Sequence, residues 1–262
     1  MAHADAELQE AIRQAAGLVV EANYVTGLTG AGISVESGIP PFRGPGGLWT
    51  KYGEPPMNGY QRFLDDPRKA WEERLSPTGP SKILQETVRN AQPNPGHQAL
   101  AELEAMGLLR YLITQNVDGL HRRAGSRNLA EIHGNSTLVR CLQCIARSPL
   151  EQVSLEHLPP ACPQCGGMLK IDTVSFGEPI PQDVLDVCFE QSQCSDCMIV
   201  AGTSATVYPA AWFPMQIQER GGHLIEVNLY ESELTPLCSV SLRGKTGELL
   251  PRLVEAVREF QS

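Results

Sequence analysis

The chain of 262 residues has no apolar run long enough for a membrane-spanning helix. Its opening stretch, MAHADAELQEAIRQ, has no apolar core of the kind a secretory signal needs. Positive charge is in short supply: 21 Lys and Arg against 30 Asp and Glu give a formal net charge of -9. That balance argues against a nucleic-acid surface, which needs cations to displace counterions. It suits a positively charged partner, and ordinary solubility explains it equally well. Internal repeats and low-complexity segments are absent, which excludes solenoids and tails. The apolar share of 42% and charged share of 19% are those of a globular enzyme, with one large domain or a main domain and a small satellite. Eight cysteines without a secretion signal point to thiols and metal rather than a disulfide framework. A cytoplasmic protein with no membrane contact and no direct nucleic-acid binding is expected.

Apolar positions Leu8, Ile12, Ala15, Ala16 and Val19 fall at helical spacing over 6–21. A short strand is expected over 23–28. Residues 50–90 read as irregular and proline-punctuated, with one helical piece near 68–74. Asn94-Pro95-Gly96-His97 starts a further helix, since proline in a first turn costs no hydrogen bond, and Gly107 suits its end. Three β-type runs follow, 109–114, 198–201 and 224–227, each ending in small or polar residues. Apolar strands alternating with helices mean α/β architecture with a parallel sheet. Ligands bind outside the carboxyl ends of such strands. Residues 30–34, 115–118, 202–204 and Asn228 are therefore expected to converge on one crevice. The stretch 140–171, with four cysteines and four prolines, breaks this rhythm and reads as an inserted module.

Cys141-Leu-Gln-Cys144 and Cys162-Pro-Gln-Cys165 have zinc-ribbon spacing. Each pair offers two thiolates from one turn, and four thiolates close a tetrahedral site with no position for water, so the metal is expected to be structural. Cys194-Ser-Asp-Cys197 lacks a second pair and runs straight into a strand; it is read as structural rather than redox-active. The cluster Gly27-x-x-Gly30-Ala31-Gly32 is by itself a weak dinucleotide signal. Val35 stands where the third glycine belongs, and no acid sits about twenty positions on for a ribose. Alone, those glycines are equally a purely conformational turn. Gln115, Asn116 and Asp118 gather two amides and a carboxylate at a strand tip, a pattern that a self-bonded turn also produces. His133 lies at a strand end, where an imidazole suits proton transfer at neutral pH. His97 and His121 also occupy suggestive contexts; His3, His157 and His223 look incidental.

Taken together and in order, GAGISVESGIPPFR (30–43), TQNVD (114–118), IHG (132–134), the two cysteine pairs, FGE (176–178) and GTS (202–204) resemble the sirtuins. The resemblance spans about Gly27 to Asn228. It implies a Rossmann-like NAD-binding large domain (1–48, 92–137 and 172–262). It also implies a small domain made of a helical part (49–91) and a zinc-ribbon part (138–171). The implied activity is NAD-dependent protein-lysine deacetylation, with NAD+ consumed as co-substrate and one structural Zn2+ per chain. An acetyl-lysine protein or peptide is the implied partner.

By the same resemblance, Gly30, Ala31 and Gly32 form the cofactor turn, and Ile33, Ser34, Asn116 and Asp118 line the nicotinamide pocket. Phe42 covers the ribose and Arg43 meets the phosphates as a fork-shaped donor. Gln115 contacts the nicotinamide ribose. Gly202, Thr203 and Ser204 bind phosphate or adenosine ribose, Asn228 replaces the customary ribose acid, and backbone near Thr246 touches the adenine. The long loop 33–49 is explained as a mobile cover, with glycines for freedom and Pro40 and Pro41 against helix. His133 is the implied general base on the ribose hydroxyls, after the acyl oxygen has displaced nicotinamide to give an O-alkylamidate. Val174, Phe176, Gly177 and Glu178 resemble the strand that pairs with peptide backbone.

Family members that remove acidic acyl groups carry Tyr-x-x-Arg. Aligned on Trp71, this chain has Arg74 and Pro77 at those positions, and Glu72 and Glu73 would repel an anion; acetyl is therefore expected first. Alternatives are removal of longer or acidic acyl groups and mono-ADP-ribosyl transfer. A zinc-ribbon binding module with a vestigial α/β domain is a third class, disfavoured by the acidic charge.

Overall fold

The computed structural model describes residues 2–262; the side chains of residues 2–4, His3 among them, lie outside that description. The strands among the described residues are β1 (Val25–Thr29), β2 (Leu109–Thr114), β3 (Leu129–Glu131), β4 (Gly134–Cys141), β5 (Arg147–Pro149), β6 (Leu169–Thr173), β7 (Cys197–Ala201), β8 (His223–Asn228) and β9 (Val240–Arg243). Helices α1 (Ala2–Glu21), α2 (Leu48–Tyr52), α3 (Gly59–Asp65), α4 (Pro67–Leu75), α5 (Gly79–Asn90), α6 (Pro95–Ala105), α7 (Leu120–Ala124), α8 (Gln182–Cys194), α9 (Trp212–Glu219) and α10 (Thr246–Gln261) alternate with them.

Six strands form one sheet in the order β3-β2-β1-β7-β8-β9, and every pairing in it is parallel. Strands β1 and β7 are buried at every position because helices cover both faces, which is why their sequences are apolar throughout rather than alternating. Ile12, Val19, Leu100, Leu103, Leu250 and Leu253 from α1, α6 and α10 fill one face. Cys188, Phe213 and Ile217 from α8 and α9 fill the other. Parallel pairing sends all six carboxyl ends to the same edge, so the polar residues that end these strands meet there.

The second sheet, β5-β4-β6, is antiparallel. It begins at Gly134, earlier than the cysteine pattern alone suggests, and runs to Thr173. Its own small core joins Trp71 to Val139, Cys141, Cys162 and Leu169. The Trp71 indole N–H donates to the Leu169 carbonyl at 3.0 Å, satisfying the one polar atom the buried ring carries.

Residues 50–90 depart from the expected irregular stretch: they form four helices, α2 to α5. Two of the five prolines there, Pro67 and Pro80, start helices instead of breaking them, and the other three lie between helices. Pro67 follows Asp66, whose carboxylate accepts the Lys69 N–H at 3.0 Å as an N-cap, and α5 likewise carries proline in its first turn.

Candidate active site at the strand tips

Chain turns after β1 and β7 approach so closely that side chains are excluded. The Gly32 N–H donates to the Gly202 carbonyl at 2.7 Å. A Cβ on Gly32 would lie 2.7 Å from the Gly202 Cα, and one on Gly202, where φ is 62°, would lie 2.3 Å from the Ile33 nitrogen. These glycines are therefore required sterically, which the motif alone left open. Beyond them, Ala31–Ser37 form a 3-10 helix whose Ile33 and Ser34 are buried.

Ser34 is the hub of the first cluster. Its hydroxyl donates to the Asp118 carboxylate at 2.7 Å and receives the Asn116 amide at 3.2 Å, while that amide also reaches the Gly30 carbonyl at 3.0 Å. The second Asp118 oxygen accepts the Leu120 N–H at 2.9 Å, fixing the carboxylate at the start of α7. Ile33, Ser34, Asn116 and Asp118 are thus brought into one buried group. Behind them stand His97 and His121, ring centroids 4.7 Å apart. Burial holds His97 at a pKa of about 4, although Asp118 pulls the other way; burial, then the His97 neighbour, holds His121 well below 6.5. Both imidazoles are neutral at pH 7. His121 Nε2 pairs with the Thr29 hydroxyl at 2.9 Å.

The Gln115 side chain donates to the Thr203 hydroxyl at 2.9 Å, and the Asn228 amide donates to the Thr203 carbonyl at 2.8 Å. Gln115, Gly202, Thr203 and Asn228 therefore form a second cluster beside the first; exposed Ser204 lies at its rim, its hydroxyl 3.1 Å from that of Thr206.

His133 Nδ1 lies 3.1 Å from the Gln115 carbonyl. A carbonyl only accepts, so Nδ1 carries the proton and Nε2 is the basic nitrogen. Burial lowers the pKa of His133, and the Gln115 carbonyl, a weaker influence, raises it. Gly134, immediately after, has φ of 80°, and a Cβ there would lie 1.8 Å from the Asp172 carbonyl.

A row of aromatic rings borders the cleft: Phe42 stacks on Trp49 at 4.9 Å, and Trp49 meets Phe176 at 5.7 Å. Arg43 is not among the strand tips. Its guanidinium lies over Trp49, donates to Thr206 at 2.9 Å and pairs with Glu54 at 3.2 Å. Thr246 also stands apart, buried in the first turn of α10 against Gly96.

Glu178 is turned away from solvent: its side chain is 2% exposed and pairs with Arg140 and Lys170, so the segment has only main-chain groups to offer a peptide at this position. Glu72 and Glu73 are exposed, Glu72 paired to Arg68 at 2.9 Å and Glu73 at the edge of a pocket that Trp71, Arg74 and Lys170 also line, while Arg74 reaches inward to the Ser136 carbonyl at 3.0 Å.

Asn94 was legible only as a helix start. Besides capping α6, its amide donates to the Ile33 carbonyl at 2.7 Å and the Ser37 hydroxyl at 3.0 Å, so it anchors the cofactor-type turn. An Asn before Pro-Gly-His gives no signal of that second duty.

Cys141, Cys144, Cys162 and Cys165 bring their sulfurs within 4.8 Å of one another. Two of the edges measure 3.5 and 3.7 Å. Zinc–sulfur bonds of about 2.3 Å in a tetrahedron require edges of about 3.8 Å. Backbone N–H groups of Gln143, Cys144 and Gly167 point at the Cys141 and Cys165 sulfurs at 3.4 Å, which favours thiolate. The cluster fits one structural zinc. Cys197 differs: it is buried within β7, and burial raises its thiol to about 12, in keeping with a packing role.

Fold and site define a Rossmann-like α/β protein with a nucleotide-type cleft and a four-cysteine module. The Sir2 family model matches residues 30–209. NAD-dependent protein deacylase 1 of Archaeoglobus fulgidus is 47% identical over 246 residues, covering 93% of this chain and 97% of that protein. NAD-dependent protein deacylase 2 of Pyrobaculum aerophilum is 46% identical over 243 residues, covering 93% and 94%. Among solved structures, a mutant Sir2 homologue in complex with ADP-ribose has a TM-score of 0.82 at 45% identity, covering 95% of this chain and 97% of its own. A Sir2 variant with deacetylated p53 peptide and 3'-O-acetyl ADP-ribose has a TM-score of 0.77 at 34% identity, covering 93% and 97%. This chain belongs to the Sir2 family.

Proposed function

We propose that the protein is an NAD-dependent protein-lysine deacetylase that converts an acetyl-lysine peptide, NAD+ and water into the free-lysine peptide, nicotinamide and O-acetyl-ADP-ribose. The observation that carries this reading is the His133 tautomer: an imidazole fixed by Gln115 with its basic Nε2 left without a partner among the described residues. NAD+ supplies an activated ribose carbon whose bond to nicotinamide breaks. Asn116, Asp118, Ile33 and Ser34 form the buried polar wall that orients the carboxamide, and their mutual hydrogen bonds preorganise it. His133 Nε2 takes a proton from a ribose hydroxyl, serving as general base. Ala31, Thr203, Ser204 and Asn228 present backbone N–H groups and short polar side chains to the dinucleotide, while Gly30, Gly32 and Gly202, whose N–H groups are engaged within the protein, let the protein backbone come close. Phe42 covers the ribose, and Arg43 exchanges Glu54 and Thr206 for phosphate when the cofactor loop closes. Backbone near Thr246 touches the adenine. The peptide pairs with the Val174–Phe176–Gly177 edge.

Related names and complexes support the reading: the relatives are NAD-dependent deacylases, and solved family members hold ADP-ribose, NAD or a p53 peptide. We divide the chain functionally into the NAD-binding sheet (1–48, 92–137, 172–262) and a small domain of helices (49–91) and zinc module (138–171). No helix is long and apolar enough to cross a membrane. The thiol-rich, metal-fitted cysteines favour the reducing cytoplasm.

Mass spectrometry of products from one acetyl-lysine peptide with NAD+ tests the proposal: O-acetyl-ADP-ribose supports it, whereas ADP-ribose left on protein supports transfer instead. A second reading rests on Arg74, whose half-buried guanidinium meets a carbonyl and, among the described residues, no carboxylate. That cation favours acyl groups ending in an anion. Acetyl, propionyl, butyryl and succinyl peptides assayed side by side separate the two, with a succinyl preference selecting the second.

A further inference from the structure

We propose that Glu178 is a positioning residue for the peptide substrate: its buried carboxylate, clamped between Lys170 and Arg140, sets the shape of the 174–178 loop. The inference rests on the proposed function in one respect, that the peptide docks on this loop.

Three donors converge on the carboxylate. One oxygen accepts from Arg140 at 2.7 Å; the other accepts from Lys170 at 2.9 Å and from the backbone N–H of Ser175 at 2.9 Å. Side chains of Glu178, Lys170 and Arg140 are 2%, 5% and 7% exposed, so water replaces none of these contacts. The Glu178 N–H closes the same turn by donating to the Ser175 carbonyl at 2.9 Å, and Gly177 takes φ of 81° at its tip. The turn is therefore closed twice, once by backbone and once by the carboxylate.

On either side, the loop is tied to the reaction centre. The Val174 N–H donates to the His133 carbonyl at 2.8 Å, so the loop, where it leaves β6, is tied to the backbone of the proposed general base. The Phe176 carbonyl accepts from Tyr60 at 3.0 Å, and its ring meets Trp49 of the cofactor loop. No hydrogen bond from the described residues reaches the Phe176 N–H, which leaves it available to a paired strand.

The charge network extends further. Arg140 pairs with Asp172 at 2.8 Å, Asp172 with Arg147 at 2.9 Å, and Arg147 with Asp183 on α8 at 2.9 Å. Three cations balance three carboxylates. An apolar cluster of similar volume would hold these elements together as well or better, because burying ions costs solvation. What the ions add is directional: one carboxylate oxygen engages the loop's own N–H and so selects a single turn conformation. Arg140 also immediately precedes Cys141, so the strand that supplies a zinc ligand supplies the clamp.

Glu178→Gln keeps the shape, removes the charge and leaves Lys170 unbalanced. In steady-state assays with an acetyl-lysine peptide, we expect peptide KM to rise about tenfold or more while NAD+ KM stays within about twofold. Amide hydrogen exchange is expected to speed up in 174–178 and to stay unchanged in β1 and β2. Lys170→Gln, which leaves Arg140 on the carboxylate, should show the same pattern and decides the matter if the first variant does not fold. An unchanged peptide KM in a folded variant, or NAD+ KM rising in parallel, overturns the inference. Wild-type enzyme that fails to turn over acetyl-lysine overturns the proposed function instead, and loop exchange still reports the clamp.

Discussion

The Gln115 carbonyl lies 3.1 Å from His133 Nδ1 and thereby decides which ring nitrogen is basic. As the proposed general base, His133 must be neutral to act, so activity is lost when the imidazole protonates. Burial lowers that pKa from 6.5, so kcat/KM for the peptide is expected to hold from neutral pH down past 6.5 and to fall only below it. An acid limb centred above 6.5 would contradict the assignment. His133→Ala is expected to reduce turnover by about 10²- to 10⁴-fold while peptide and NAD+ still bind.

Behind the cleft, His97 is buried neutral with a pKa near 4, against 6.5 when exposed. Between those values the unfolded chain binds more protons than the folded one, so stability rises with pH through this window and is lost as pH falls. Roughly 2 kcal/mol should disappear between pH 7 and pH 5 from this group. Urea unfolding at both pH values checks it: His97→Gln should lose less than wild type over the same interval. Equal losses would show that other groups carry the acid sensitivity.

The parallel sheet was legible because its central strands are covered on both faces; the run 109–114 begins and ends where the strand does. Within 50–90 the helical piece near 68–74 was legible and is α4, whereas α2 and α3 are only 5 and 7 residues long and α5 has no fully buried residue, so these three were not. In the site, the identity of Ser34, Asn116 and Asp118 could be read from motif order, but the Ser34–Asp118 bond spans 84 positions and follows only from strand pairing. For Glu178 the sequence carries no sign of its buried partners: side chains around a turn point different ways, and two buried cations claim the carboxylate. The direction of Arg74 is likewise open in the sequence and is settled by the helix, on which neighbours face different ways, so Glu73 is exposed while Arg74 points inward.

Gly202 tests whether the cofactor turn depends on backbone contact. Its Cβ would meet the Ile33 nitrogen at 2.3 Å and its φ of 62° disfavours any side chain. Neither obstacle is a flexible side chain, so Gly202→Ala must separate the two turns and break the Gly32–Gly202 bond. A loss of more than about 2 kcal/mol in unfolding free energy, together with weakened NAD+ binding, is expected. A variant with wild-type stability and wild-type NAD+ affinity would mean that the turns part without cost.

Zinc should report through Trp71. That indole is 1% exposed and packs on Cys141, Cys162 and Leu169, two of the four thiol positions among its neighbours. Structural zinc holds such small sheets folded, and its binding free energy is folding free energy. A strong chelator should therefore remove one metal per chain, loosen β4–β5–β6 and expose the indole, moving tryptophan emission to the red. The chain has three tryptophans, and Trp212 is already 49% exposed, so Trp71→Phe should abolish most of the shift. The Phe variant keeps the four cysteines and should still release one zinc, measured with a metallochromic dye. Zinc release without any change in emission from the wild-type protein would separate the metal from this core and restrict its role to the two cysteine turns.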